Sequence, residues 1–378
     1  MHLNFRTNVT IEADISRNIG ALLHDRYEAC LIVIDEGFSD TELGLSICSS
    51  LLSSFDARIL KTKSSNEPTY DDLRIYISTA EFDWLRSNLE NAVLIGVGGG
   101  SAMDLAKVLA ALATNPGDPL EYRGFDKVIN PPVDAYLIPT TAGTGSESSF
   151  NASLIDSSAN KKMGINGINM FAKGSFLDPK IMLKCPRPIA LSAAVDAFVH
   201  CVEAFICKGS NPVSDGLAEK GLELIWTGLR VFEGEWDNID HWQNLMLGAH
   251  IGGIVQMNSG SGIAAAISYP LGVYHGVPHG IGGAIFAPGV MKWNYAQGVS
   301  KYENLDRISG GSFVEKTVAK FSEIGVPGTL SQFNIFKHDK PRLIEIMSTQ
   351  QPAFDQNPLN FSVGDDFSVF INEYLEDM

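Results

Sequence analysis

Asn91-Ala92-Val93-Leu94-Ile95-Gly96-Val97 runs straight into Gly98-Gly99-Gly100-Ser101 and then into an alanine- and leucine-rich stretch, 102–113, that reads as a helix. A continuous apolar run of that length reads as a strand covered on both faces, as in a parallel sheet. Glycines at a strand-to-helix turn let backbone amides approach a phosphate, and the helix N-terminus adds its dipole. The stretch therefore predicts an α/β unit that binds a nucleotide. Gly-rich turns also occur without a ligand, so the surrounding chain has to support the reading.

Upstream, short β-rich pieces at 3–7 and 9–12 precede an amphipathic helix over 15–27. Ala29-Cys30-Leu31-Ile32-Val33-Ile34-Asp35 then reads as a buried parallel strand whose carboxyl end faces a cleft. A helix over 41–55, a strand over 57–61 and a turn at Asn66-Glu67-Pro68-Thr69-Tyr70 continue a β-α-β alternation, the pattern of a doubly wound sheet. Downstream, Ala135-Tyr136-Leu137-Ile138-Pro139 delivers Thr140-Thr141-Ala142-Gly143-Thr144-Gly145-Ser146-Glu147. Its hydroxyls and glycines make a concavity suited to phosphate or ribose, or a loop that bonds its own backbone. Asp104 and Lys107, on the first turns of the 102–113 helix, can serve a ligand or that neighbouring loop equally. The Lys161-Lys162 pair can hold a diphosphate or be solvated.

From Pro186 the character changes, and helical patterns dominate: 190–207, 213–228, 241–260, 263–271, 279–294, 311–325, 342–348 and a short amphipathic piece at 365–375. Lys184-Cys185-Pro186-Arg187-Pro188 is a proline-stiffened junction. The expected organisation is an α/β dinucleotide-binding domain with a doubly wound, mostly parallel sheet over 1–185, followed by an all-α domain over 186–378. The chain's 378 residues agree with two domains.

Composition narrows the function classes. Hydrophobic content of 45% with 19% charged residues is that of a globular protein, and a formal charge of −16 argues against a polyanion partner. Five cysteines without framework spacing fit reduced, mostly buried thiols. No signal-like N-terminus and no uninterrupted apolar run of spanning length is seen, so a cytoplasmic protein without membrane partner is expected.

Ala193-Ala194-Val195-Asp196-Ala197-Phe198-Val199-His200-Cys201-Val202-Glu203 places a carboxylate and an imidazole four residues apart on a helical pattern, where they share a face and can grip one ion. A third ligand is available in Tyr274-His275-Gly276-Val277-Pro278-His279-Gly280. The plainer account is a helix N-terminal Asp and a partly buried His.

Taken in order, these pieces resemble the iron-containing, or group III, alcohol dehydrogenases across nearly the whole chain. The segment 98–107 is similar to that family's GGGSxxDxAK turn, and 139–147 matches its PTTAGTGSE loop. Asp196 to Ala204 is similar to its D-A-x-x-H-x-x-E-A segment, and Pro270-Leu271-Gly272 with Pro278-His279-Gly280 to its PLG and PHG signatures. The resemblance implies NAD(P) and one divalent metal, Fe(II) or Zn(II), in a cleft between the two domains, and pairing of two chains into a homodimer. It implies cofactor contacts from Asp35, Gly98, Gly99, Ser101, Asp104, Thr140, Thr141, Thr144, Asn151 and Lys162. A carboxylate such as Asp35 at a strand end accepts from ribose hydroxyls and repels a 2′-phosphate, which favours NAD over NADP.

Asp196, His200 and His279 match the family's metal positions, but Ala265 stands where a further histidine ligand is expected and Tyr269 where the family has a second, catalytic-site histidine. Three accounts stay open: His275 supplies the missing imidazole, water or substrate oxygens complete the shell, or the site works without metal. Tyr269 and His275 are the candidates to relay a proton or orient substrate. The expected reaction is reversible hydride transfer between NAD and a primary alcohol or its aldehyde. The exchange of imidazole for Ala265 and Tyr269 enlarges the pocket toward a bulky or polyhydroxylated substrate, such as the 8-hydroxyl of a 3-deoxy-octulosonate sugar. The alternatives are a dehydroquinate-synthase-like lyase or cyclase that regenerates its NAD, and a catalytically silent nucleotide-binding protein.

Overall fold

The computed structural model describes residues 3–63, 67–159 and 161–378. Two compact units emerge, Asn4–Pro186 and Arg187–Met378, the latter including Leu3.

In the first unit, β1 (Asn8–Ile11), β2 (Ala29–Asp35), β3 (Asp56–Thr62), β4 (Ala92–Gly98), β5 (Asp134–Pro139) and β6 (Gly174–Leu177) form one sheet. Their order is β1-β6-β5-β4-β2-β3, and every pair is parallel. The period of two along β2 explains why its run is apolar without a break. Leu31 and Val33 pack on one face with Leu73, Phe82 and Leu109, while Cys30, Ile32 and Ile34 pack on the other with Ile19, Ile47 and Leu51. Helix α1 (Glu42–Ser54) returns the chain from β2 to β3, and α2 (Gly100–Thr114) follows β4. Since β3 lies to one side of β2 and β5 to the opposite side of β4, the strand order reverses between β2 and β4. That crevice is where open α/β sheets bind ligands.

Several local expectations change. Among the described residues one strand forms near the N-terminus, with Asn8 to Ile11 paired on Gly174 to Leu177 and the Glu12 amide donating to the Leu177 carbonyl, and the piece expected over 3–7 is not a strand. The helix expected over 15–27 is two short pieces, Ile15–Arg17 and Ile19–Leu23, with Asp178 accepting from the Ser16 amide and hydroxyl at its start. Asn66 of the predicted turn lies outside the described residues, and Thr69 caps the helix that follows.

The second unit is helical. Its main elements are α3 (Arg187–Ile206), α4 (Pro212–Gly228), α5 (Ile239–Ser259), α6 (Ile263–His275), α7 (His279–Ala296) and α8 (Phe313–Ile324). By length and composition α3 is apolar enough to cross a bilayer, yet it is mostly buried, packed against α4, α5 and α7. Helix α6 runs past its internal Pro270 and ends only at His275, where Gly276 takes a left-handed conformation at φ 67°. The piece expected over 365–375 is instead broken into short turns, Val363–Phe367, Ser368–Phe370 and Ile371–Tyr374.

Candidate metal centre and nucleotide turn

At the crevice of the first unit, Gly99 is the N-cap of α2 and supplies no side-chain cap. The first amides of α2 therefore have no side-chain acceptor from that position, which suits a phosphate. Gly98 has φ 155°, and a Cβ there would lie 2.5 Å from the Ala102 Cβ and 3.1 Å from that of Asp35. Only glycine allows the end of β4 to close on the start of its own helix and on Asp35. The Gly98 carbonyl accepts from the Thr140 amide at 2.9 Å, and a Cβ on Gly100 would meet Thr144 at 2.7 Å. So Asp35, Gly98, Gly99, Ser101, Thr140, Thr141 and Thr144 belong to one neighbourhood at the strand ends.

Four expected cofactor contacts also bond groups of the protein itself. Asp104 serves the neighbouring loop: Oδ1 accepts from Ser146 Oγ at 2.5 Å and Oδ2 from the Ser153 amide at 2.8 Å. Lys107 joins it at 3.1 Å and donates to the carbonyls of Ser146, Ser149 and Asn151. Lys162 pairs with Glu67 at 2.6 Å. Asn151 presents its carbonyl to Lys107. Asp35 accepts from the Phe38 amide at 3.1 Å, capping the turn after β2.

In the second unit, Asp196, His200 and His279 bring one ligand atom each within 4.8 Å of one another. Helix α3 supplies the first two from successive turns. The close approach of α7 supplies the third: a Cβ on Gly280 would lie 1.9 Å from the Ser192 carbonyl and 2.8 Å from the Asp196 Cβ. Asp196 Oδ1 stands 3.5 Å from His200 Nε2 and 3.7 Å from His279 Nε2. Metal bonds of about 2.0–2.2 Å put tetrahedral ligand atoms roughly 3.3–3.6 Å apart. The two edges to Asp196 lie at or just beyond that range, close enough for a small divalent cation to draw the three together, and the mixed carboxylate and imidazole set suits iron or zinc.

His275 stands outside this group. It ends α6 while His279 begins α7, so the two do not share a helix face, and the i,i+4 geometry that would have made His275 a ligand is absent. Its charged neighbours are Asp339 and Arg342, and burial holds its imidazole below the usual range. Among the described residues its Nε2 has no hydrogen-bond partner. Ala265 is buried and offers only its backbone. Tyr269 does join the group, stacking on the His279 ring at 5.2 Å between centroids and 13° between planes.

Two further residues shape this centre, Ser268 and Glu203, to which the sequence reading assigns no role. Ser268 Oγ contacts His279 Nδ1 at 2.8 Å. Glu203, one turn after His200, accepts from the amides of Gly262, Ala264 and Ala265 at 2.8, 2.7 and 3.3 Å, so it caps α6 and fixes where that helix starts. A carboxylate inside an apolar helix must find donors, which is a legible signal. A buried serine carries none.

Burial pushes the Glu203 carboxyl up to about 7, against the three amides that hold it down, and Asp196 adds to the rise. The folded value lies above the unfolded one, so the folded state keeps its proton to higher pH. Stability contributed at acid pH is then lost as pH rises from about 4.5 to about 7, by up to about 3 kcal/mol. Metal-free protein is expected to show this decline in urea unfolding, and Glu203→Gln, which cannot ionise, to lack it. Equal slopes in the two proteins would refute the assignment.

A glycine turn at the reversal of a parallel sheet, with a carboxylate and imidazole group on a helical unit, is the equipment of a nucleotide- and metal-dependent enzyme. Residues 7–179 match the iron-containing alcohol dehydrogenase family and residues 190–365 its C-terminal family. The 1,3-propanediol dehydrogenase of Citrobacter freundii is 30% identical over 278 residues, covering 70% of this chain and 72% of the other. Lactaldehyde reductase of Escherichia coli (strain K12) is 29% identical over 266 residues, covering 67% and 69%. The fold is shared with sulfoacetaldehyde reductase from Bifidobacterium kashiwanohense, solved in complex with NAD+, at a TM-score of 0.88 and 20% identity, covering 99% of this chain and 98% of that one. The chain belongs to the iron-containing alcohol dehydrogenase family. It is thus an oxidoreductase of NAD-linked alcohol and aldehyde interconversion that uses a divalent metal.

Proposed function

We propose that the chain interconverts a primary alcohol and its aldehyde, and that the alcohol is bulky or polyhydroxylated. The alcohol loses a hydride to NAD+ and its hydroxyl proton to solvent, giving aldehyde, NADH and H+. The observation that carries this reading is the convergence of Asp196 with the two imidazole Nε2 atoms at 3.5 and 3.7 Å. When bound, the divalent cation supplies Lewis acidity toward an alcohol oxygen and NAD accepts the hydride. Asp196, His200 and His279 hold the cation, and Asp196 brings the one negative charge among the three. Gly98, Gly99 and the uncapped start of α2 receive the pyrophosphate, with Thr140, Thr141 and Thr144 beside them. Asp35 closes the same crevice and selects NAD over NADP by charge.

A methyl group at Ala265 and a phenol at Tyr269 support the substrate class. The first is smaller than the imidazole it replaces, and the second carries a hydroxyl that a polar substrate can use. The protein is proposed to act in the cytoplasm as a homodimer. Support for pairing comes from β1, an edge strand with Val9 exposed.

Metal-loaded protein is expected to form NADH with a panel of alcohols, and to favour diols and 3-deoxy-octulosonate sugars over short monoalcohols. Preference for short monoalcohols would remove the substrate assignment. Substrate consumption without net NADH would instead mark a lyase or cyclase that regenerates its cofactor.

A further inference from the structure

Ser268 and Tyr269 follow one another on α6, and both touch His279. Ser268 Oγ lies 2.6 Å from the Ala265 carbonyl and 2.8 Å from His279 Nδ1. A serine hydroxyl has one proton to donate, and a carbonyl can only accept. The Ala265 carbonyl therefore takes that proton, and Ser268 meets His279 as an acceptor. Nδ1 must then carry the ring proton. In a neutral imidazole this leaves the lone pair on Nε2, the atom 3.7 Å from Asp196 Oδ1.

The surroundings hold the arrangement in place. Ser268 is 1% exposed, so bulk water does not compete for either hydrogen bond. Tyr269 covers one face of the imidazole, nearly parallel to it. Position 282 is glycine, and a Cβ there would come within 3.2 Å of the Ser268 Cβ, so α7 lies close against α6 at this serine. A ligand imidazole commonly donates its second N–H to a carboxylate, a carbonyl or water, and that partner fixes tautomer and ring orientation. Here the partner is a hydroxyl whose own proton is already committed.

We propose that Ser268 is a positioning residue of the metal centre: it holds His279 in the Nδ1–H tautomer and so presents the Nε2 lone pair alongside Asp196 and His200. The proposal rests on the reading of these three residues as a metal site. Its first consequence, the tautomer, concerns the metal-free protein and is testable without any cation.

The test compares wild-type protein with Ser268→Ala, which removes one oxygen and adds no bulk. Protein carrying 15N-labelled histidine, with the His279 signals assigned through His279→Gln, is measured metal-free by long-range 1H–15N correlation. Zn(II) affinity is measured separately by competition with a chelator. Wild type is expected to show His279 as the Nδ1–H tautomer, and Ser268→Ala to lose that preference and bind Zn(II) roughly 10–100-fold more weakly. A wild-type His279 protonated on Nε2, or an unchanged tautomer and Zn(II) affinity in Ser268→Ala, overturns the proposal. If wild type takes up no Zn(II) at all, the metal reading falls, and the tautomer comparison still decides whether Ser268 sets the His279 ring.

Discussion

Asp196→Asn is expected to strip the protein of its divalent metal and of NAD-linked turnover, with metal affinity falling on the order of 10²–10³-fold. Asp196 is the one anionic group among the three converging side chains, and it is buried, so little solvent screens it. An amide keeps the shape and an oxygen but not the charge. Removing one partner of a buried charge pair costs about 3–5 kcal/mol, and each 1.4 kcal/mol is tenfold in affinity.

The same change has the opposite sign in metal-free protein. The Asp196 charge acts on Glu203 as a like charge, adding to the rise of its carboxyl. Without the cation, Asp196→Asn relieves that repulsion, so the melting temperature is expected to hold or rise while the stabilisation conferred by added Zn(II) disappears. An equal Zn(II)-induced melting shift in wild type and variant would refute a ligand role for Asp196. A lower melting temperature in the metal-free variant would refute the repulsion.

The sequence makes visible those parts of the fold and site that a short local pattern determines. The apolar run of β2 is legible because both its faces are covered, and the glycines after β4 because their backbone must approach a helix start and Asp35. Asp196 and His200 are legible because a helix turns their spacing into a shared face. His275 shows the limit of that logic: spacing of four places it with His279 only on one continuous helix, and Gly276 in its left-handed conformation ends α6 between them. Two-residue strands such as Gly124–Phe125, Asn151–Ala152 and Ile165–Asn166 are too short to show any period, so the small sheet they form leaves no trace in sequence. Ser268 is invisible for a different reason. Its role comes from α7 lying against α6, a tertiary contact that no local pattern encodes.

Asp104 and Lys107 bond the loop beside them, and Lys107→Met is the second change expected to have a large effect. The Lys107 side chain is 1% exposed, and its ammonium faces Asp104 and the carbonyls of Ser146, Ser149 and Asn151. Burial pulls the ammonium below its ordinary range, while Asp104 and then Glu147 favour its charge. Methionine fills a similar volume and donates nothing. The variant therefore leaves a buried carboxylate without its cation and several carbonyls without a donor, for an expected loss of about 3–5 kcal/mol in urea unfolding.

The loss should be partly recovered by combining Lys107→Met with Asp104→Asn, since the double change removes the stranded charge as well. Strict additivity of the two changes would show that the pair is not coupled. Function separates the nucleotide loop from general stability. The carbonyls held by Lys107 belong to the chain just after Thr140, Thr141 and Thr144, so NAD affinity is expected to fall roughly tenfold, about 1.4 kcal/mol of lost order at the loop. Zn(II) affinity should stay within about twofold of wild type, because Asp196, His200 and His279 are all carried by the helical unit. Equal losses of NAD and Zn(II) affinity would mean that Lys107 supports the whole fold and not this loop in particular.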